Sequence, residues 1–172
     1  MTGHNSIKMT DLSALYKTLG FNNAETYIQS GNVIFSSDNT LSESDIALQI
    51  EKEILKRFSY NVPVMIRSAG EMRKLIAVNP FLAEKNFDPS KMAVILLCEE
   101  PSEDQIQKVI SVDFPPDKFS IIGREIFTYC PNGFGRTKIY TNYFENKMGV
   151  TGTARSWKTI NTILLIAEKR PD

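Results

Sequence analysis

At 172 residues, 42% hydrophobic and 23% charged, the chain can bury a core of its own and suits one domain or two small subdomains. Lys+Arg and Asp+Glu stand equal at 20 each, which argues against a general coat for nucleic acid. Cys98 and Cys130 lack the paired spacing of a disulfide framework or zinc knuckle, and the longest apolar runs, "MAVILLC" and "TILLIA", fall far short of the roughly 20 residues a membrane span needs. No basic-then-apolar leader opens the sequence, so it reads as a cytoplasmic protein with two buried, reduced thiols.

The first element is a helix in "KMTDLSALYKTLGF", where Met9, Leu12, Leu15, Tyr16 and Leu19 fall at helical spacing and Gly20 follows at the C-terminus. "TYIQSGNVIFSS" predicts two strands around Gly31, a hairpin in which glycine takes the positive φ of a primed turn. "LSESDIALQIEKEILKRFSY" sets Ile46, Ile50, Ile54, Leu55 and Phe58 on one helical stripe, with acids early and bases late as the helix dipole prefers. "VPVMIRS" then reads as a closing strand. The order α-β-β-α-β is that of a split βαβ unit without its first strand, which would lie mid-sheet, so a segment upstream is expected.

A connecting helix in "AGEMRKLIAVNPF" and a loop in "NPFLAEKNFDPSK" lead to a second round. The strand "MAVILLC" precedes the helix "EDQIQKVISV", and the strands "KFSIIG" and "EIFTYCP" join through Gly123-Arg124. "TKIYTNYFENKMG" reads as a helix with Ile139, Tyr143 and Tyr140 inward, "TGTARSWKT" as an irregular polar stretch, and "TINTILLIAEK" as a final helix. The expected fold is therefore α+β: two tandem ferredoxin-like subdomains, residues 1–80 and 81–172, the first lacking its N-terminal strand, plus a C-terminal helix.

Charge is uneven along this order. Residues 1–119 carry 12 basic and 16 acidic residues, a net of −4, and residues 120–172 carry 8 and 4, a net of +4. Within the basic part, "CPNGFGRTKIY" places glycines ahead of Arg136, Thr137 and Lys138. Such a stretch either offers backbone N–H groups and bases to an anion at a helix start, or is a strand-to-helix turn with Thr137 as N-cap. Its spacing matches neither the Walker loop nor the dinucleotide fingerprint. Arg155 beside the single tryptophan, Trp157, can hold a phosphate or stack on a base, and a lone Trp also serves as a core anchor. His4, the one histidine, is badly placed for a catalytic triad, and no metal-ligand spacing occurs; Glu99 and Glu100 read as solvated loop charge.

"GHNSIKMTDL", "TYIQSGNVIF", "VPVMIRS", "NPF", "PNGFGRTK" and above all "TARSWKT" resemble, in order and across the whole chain, the bacterial family catalogued as domain of unknown function 1697. Members resembling it begin with a strand and an Arg-Gly-Ile-Asn-Val-Gly-Gly segment, of which Gly3-His4-Asn5 matches only the end. Ser156 stands where the family usually has Asn. The resemblance implies a fold and a site position, and no reaction.

Gln29 and Ser30 put polar groups where a strand gains more from Val or Thr, so the turn reads as part of a site. The expected site is polar, lies between the subdomains and comprises Gln29, Ser30, Asn32, Arg136, Lys138, Arg155 and Trp157. It would bind a phosphate-bearing or other anionic small molecule, with the amides reading the neutral part and the cations the anion. No metal, cofactor or membrane is expected, and no catalytic residue is assigned. The rival readings are a nucleic-acid module, which would need Tyr27, Phe35, Phe127 and Tyr129 exposed for stacking, and a protein-interaction domain.

Overall fold

The computed structural model describes residues 7–38 and 40–170; Gly3-His4-Asn5, where the family-like opening ends, lies outside them. The chain divides into two compact units, one running to Ala69 and resuming at Ile163, the other Gly70–Thr162. The boundary thus falls at the first residue of the connecting helix, and the last turns of the C-terminal helix belong with the first unit.

In the first unit, α1 (Met9–Thr18) buries Leu12, Leu15 and Tyr16, and Gly20 follows at φ 83°. β1 (Asn22–Tyr27) and β2 (Asn32–Ser36) pair antiparallel, with Tyr27 opposite Asn32. A primed two-residue turn does not join them. The link is the four-residue segment Ile28–Gly31, with Ile28 at φ 52° and Gly31 at φ 76°. α2 (Glu43–Phe58) starts at the N-cap Ser42, whose hydroxyl accepts from the Asp45 N–H. Ile46, Ile50 and Ile54 form its buried stripe, whereas Leu55 is 52% exposed, because one residue past Ile54 lies about 100° round the helix.

The expected strand at "VPVMIRS" is not formed. Val62, Val64 and Ile66 pack against the core of Leu15, Tyr16, Ile46 and Ile50, yet no strand pairs with them among the described residues. A strand needs a ladder for its polar backbone, and here the Val64 N–H donates instead to the Glu51 carboxylate at 2.8 Å.

The second unit opens with α3 (Ala69–Ala77), burying Met72 and Leu75. β3 (Met92–Leu97) is buried throughout, as a central strand covered on both faces must be. α4 (Glu103–Ile110) carries a reciprocal capping box between Ser102 and Gln105. β4 (Lys118–Ile122) and β5 (Glu125–Tyr129) form a hairpin around Gly123, at φ 59°. α5 (Thr141–Met148), β6 (Gly152–Ser156) and α6 (Trp157–Glu168) complete the chain. The sheet order β4-β5-β3-β6, all antiparallel, over the chain order β-α-β-β-α-β is the split βαβ arrangement.

Strand alternation sends Ile95, Leu97 and Ile126 to one face, where they pack with Val109 of α4 and Phe144 and Met148 of α5. Met92, Val94, Leu96, Phe127 and Tyr129 take the other face and are all buried. "TGTARS" is thus an edge strand and not an irregular stretch, because Gly152–Ser156 find a full ladder on Leu97–Ala93. Of the two free thiols Cys130 is buried as expected, whereas Cys98, one residue past β3, is exposed.

Candidate functional site

Met92 pairs with Tyr129 and Ala93 with Ser156, so the start of β3 and the ends of β5 and β6 lie level at one end of the sheet. Three segments meet the solvent there: the turn before β3, the loop after β5 and the first turn of α6. Between the first and third lies an open cleft of about 520 Å³, lined by Asp88, Pro89, Ser90, Trp157, Lys158, Asn161 and Thr162. Its size is in the range of small-molecule sites.

One wall is the 3₁₀ turn Pro89–Lys91, with Asp88 as N-cap and Pro at the first helical position. Asp88 Oδ1 accepts from the Ser90 N–H at 2.9 Å and the Ser90 hydroxyl at 2.7 Å. These two bonds, the hydroxyl's first, hold its carboxyl below the ordinary aspartate value. The Asp88 N–H donates to the Tyr129 hydroxyl at 3.2 Å, and the Tyr129 ring stacks on Phe81 and on Phe87, each at 5.8 Å. An aromatic stack on the sheet thereby fixes the acidic wall.

The facing wall is α6. Ser156 caps it, accepting from the Thr159 N–H at 3.2 Å. Serine is among the residues that cap helices best, which gives Ser156 a structural part at this position. Trp157 is buried, and Lys158 stands exposed beside it. Asn161 Nδ2 donates to the Trp157 carbonyl and the Thr162 hydroxyl to the Lys158 carbonyl, both at 2.8 Å, which fixes both polar side chains along the cleft.

The expected site residues divide into four groups. Trp157 lines the cleft. Arg136 and Lys138 are exposed on the loop after β5, at the same end of the sheet. They do not sit at the start of a long helix: Phe134–Arg136 is one 3₁₀ turn, and α5 begins only at Thr141. Thr137 is not its N-cap. Its buried hydroxyl accepts from the Ile139 N–H at 3.1 Å and holds residues 137–139 out of the helix, and Tyr140 faces solvent instead of the core. In the same loop Gly133, at φ 83° and ψ 159°, adopts a conformation reserved almost wholly for glycine. The Lys91 ammonium lies above it, 3.8 Å from where a Cβ would stand, which adds Lys91 to this group of cations.

Arg155 lies on β6 opposite Val94, where its Nη1 donates to Thr153 Oγ1 at 2.6 Å and to the Ala154 carbonyl at 2.8 Å. Burial pulls its pKa down from the usual arginine range. It braces its own strand and does not line the cleft. Gln29, Ser30 and Asn32 belong to the first unit. Gln29 is exposed, while buried Asn32 donates to the Tyr27 carbonyl at 3.2 Å and to Ser30 Oγ at 2.7 Å. Ser30 and Asn32 thus make the turn that their polarity had suggested was a binding site.

Sequence reasoning missed Asp88, Ser90, Lys158 and Asn161. "FDPSK" carries a readable cap signal, Asp followed by Pro, but nothing in it says that the turn faces α6. Among the described residues no cluster of His, Cys, Asp or Glu could hold a metal, and no helix is long and apolar enough to cross a membrane.

A mixed α+β chain with two small sheets, a C-terminal helix and an open cleft is the class these features define. The chain belongs to the family described as "Protein of unknown function (DUF1697)", whose model matches residues 1–127. In structure it is similar to a conserved bacterial protein, SP0830 of Streptococcus pneumoniae, with a TM-score of 0.77 at 20% identity, over 98% of this chain and 93% of that one. No curated protein matches it.

Proposed function

We propose that this protein binds a phosphate-bearing or other anionic small molecule in the cleft between the Asp88–Ser90 turn and α6. The observation that carries the reading is Lys158 standing exposed beside the Trp157 wall of a cleft large enough for a small molecule. Lys91, Arg136 and Lys138 add positive field at the same sheet end, and the +4 of residues 120–172 supplies the background. The two free cysteines support a reducing, cytoplasmic setting for this activity.

The nucleic-acid reading needs exposed strand aromatics. Phe127 and Tyr129 are buried, and Phe35 packs on Tyr16 and Phe21 at 5.1 and 4.7 Å, which leaves of the four strand aromatics a single half-buried ring, Tyr27, against the two or three exposed rings such a platform uses.

Calorimetric titration with inorganic phosphate tests the proposal. Lys158→Ala is expected to weaken binding by about 1–2 kcal/mol, the worth of one charge-assisted hydrogen bond, with thermal stability unchanged. Phosphate binding of equal strength in both proteins, or none in either, would overturn it.

A further inference from the structure

We infer that the ligand of this cleft carries hydroxyl groups as well as its anionic group, and is a sugar phosphate or nucleotide held by its hydroxyls on Asp88 and Asn161. The inference rests on the anion reading and adds the neutral half of the ligand. Asp88 caps its turn, and its carboxylate also stands in the wall of the cleft, where it repels a bare anion at short range. The carboxylate is ionised: the two Ser90 donors favour its charged form. A ligand that brings hydrogen-bond donors to Asp88 turns that repulsion into a charge-assisted bond.

The atoms left over define those donors. Both Ser90 bonds end on Oδ1 of Asp88, so Oδ2 is the oxygen offered to a ligand. Asn161 spends Nδ2 on the Trp157 carbonyl, so its Oδ1 is offered likewise. Two acceptors on facing walls call for hydroxyl donors on the ligand, as an ionised carboxylate and an amide oxygen have no proton to give. Pro89 and Trp157 supply apolar surface for the C–H face of a ring, and Lys158 takes the phosphate. A purely cationic ligand would suit Asp88 and be repelled by Lys158, so the ligand is anionic at the Lys158 end and a hydrogen-bond donor at the Asp88 end, where Asn161 adds a neutral acceptor that suits a hydroxyl.

Calorimetry on the full chain compares inorganic phosphate, ribose 5-phosphate, 2-deoxyribose 5-phosphate and phosphoethanolamine. Ribose 5-phosphate is expected to bind about tenfold or more tighter than phosphate, because a site built around hydroxyls rejects analogues lacking them. The deoxy compound should lose most of that preference. Asp88→Asn keeps an Oδ1 for the Ser90 cap and replaces Oδ2 with an NH₂, so the variant should fold and hold phosphate at least as well while losing the preference for ribose. Phosphate and ribose 5-phosphate binding equally, both weakened in Lys158→Ala, would overturn this inference and leave the anion site standing. Phosphoethanolamine binding as tightly as ribose 5-phosphate would also overturn it, in favour of an ammonium on Asp88. No binding of any of the four would overturn both readings.

Discussion

Arg155 and Trp157 stand two residues apart and do different work because a strand ends and a helix begins between them. Arg155 is the fourth residue of β6, and its guanidinium folds back along the edge strand to Thr153 and the Ala154 carbonyl. Trp157 is the first residue of α6 and falls on the cleft wall. Arg155→Ala should therefore act on folding. It removes a part-buried side chain and leaves the Thr153 hydroxyl without its donor, which costs about 1–3 kcal/mol. Urea melts should show that loss while the phosphate affinity of the folded variant stays within twofold of the parent. A large loss of affinity at unchanged stability would return Arg155 to the ligand.

β6 illustrates at the scale of elements what a sequence conceals. Its first residue, Gly152, has no left-handed backbone to explain it; a Cβ there would lie 2.8 Å from Ile95 Cγ2 and 3.0 Å from Leu97 Cδ2. Glycine is needed for close approach of the edge strand to β3. Gly152→Ala should cost about 1–3 kcal/mol through overpacking, visible as a lower melting temperature, whereas the same change at Gly135, with nothing within 4 Å of a Cβ, should be mild. Equal effects at the two positions would refute the steric account. Helices with apolar stripes and caps, α1, α2 and α4, were legible in the sequence because their signals are local. The apolar strands β3 and β5 were legible for the same reason. β6 was not: "GTARS" has no apolar alternation, and its pairing with β3 is a long-range fact. "VPVMIRS" failed in the opposite sense, since it has the composition of a strand and no ladder partner among the described residues. The site followed the same division. Trp157 and the basic character of the sheet end could be read, while Asp88 and Asn161 acquire meaning only when a turn and a helix about 70 residues apart in sequence face each other.

For the molecule as a whole, the charge asymmetry makes the proposed activity sensitive to salt, and the form of that sensitivity separates the readings. Net charge is zero, but residues 120–172 hold +4, and Arg136, Lys138 and Lys158 within them join Lys91 at one end of the second unit's sheet. Charges exposed to solvent are screened over about 10 Å at 0.1 M ionic strength, so the outlying cations act on a ligand in dilute salt and fade as salt rises. A ligand with one phosphate, held in contact by Lys158, releases few counterions. Its affinity should fall by only about three- to tenfold between roughly 0.05 and 0.5 M salt, with the contact to Lys158 persisting. A nucleic-acid groove behaves otherwise, because each neutralised phosphate adds to the slope, and six to ten contacts cost about 10³–10⁵ in affinity over a smaller salt range. Titrating ribose 5-phosphate and single-stranded oligonucleotides of increasing length, each at several salt concentrations, reads the difference directly. A shallow slope that does not grow with oligonucleotide length is the expected outcome. A slope that steepens with every added nucleotide would mean that the basic sheet end tracks a polyanion and that the cleft is not its principal site.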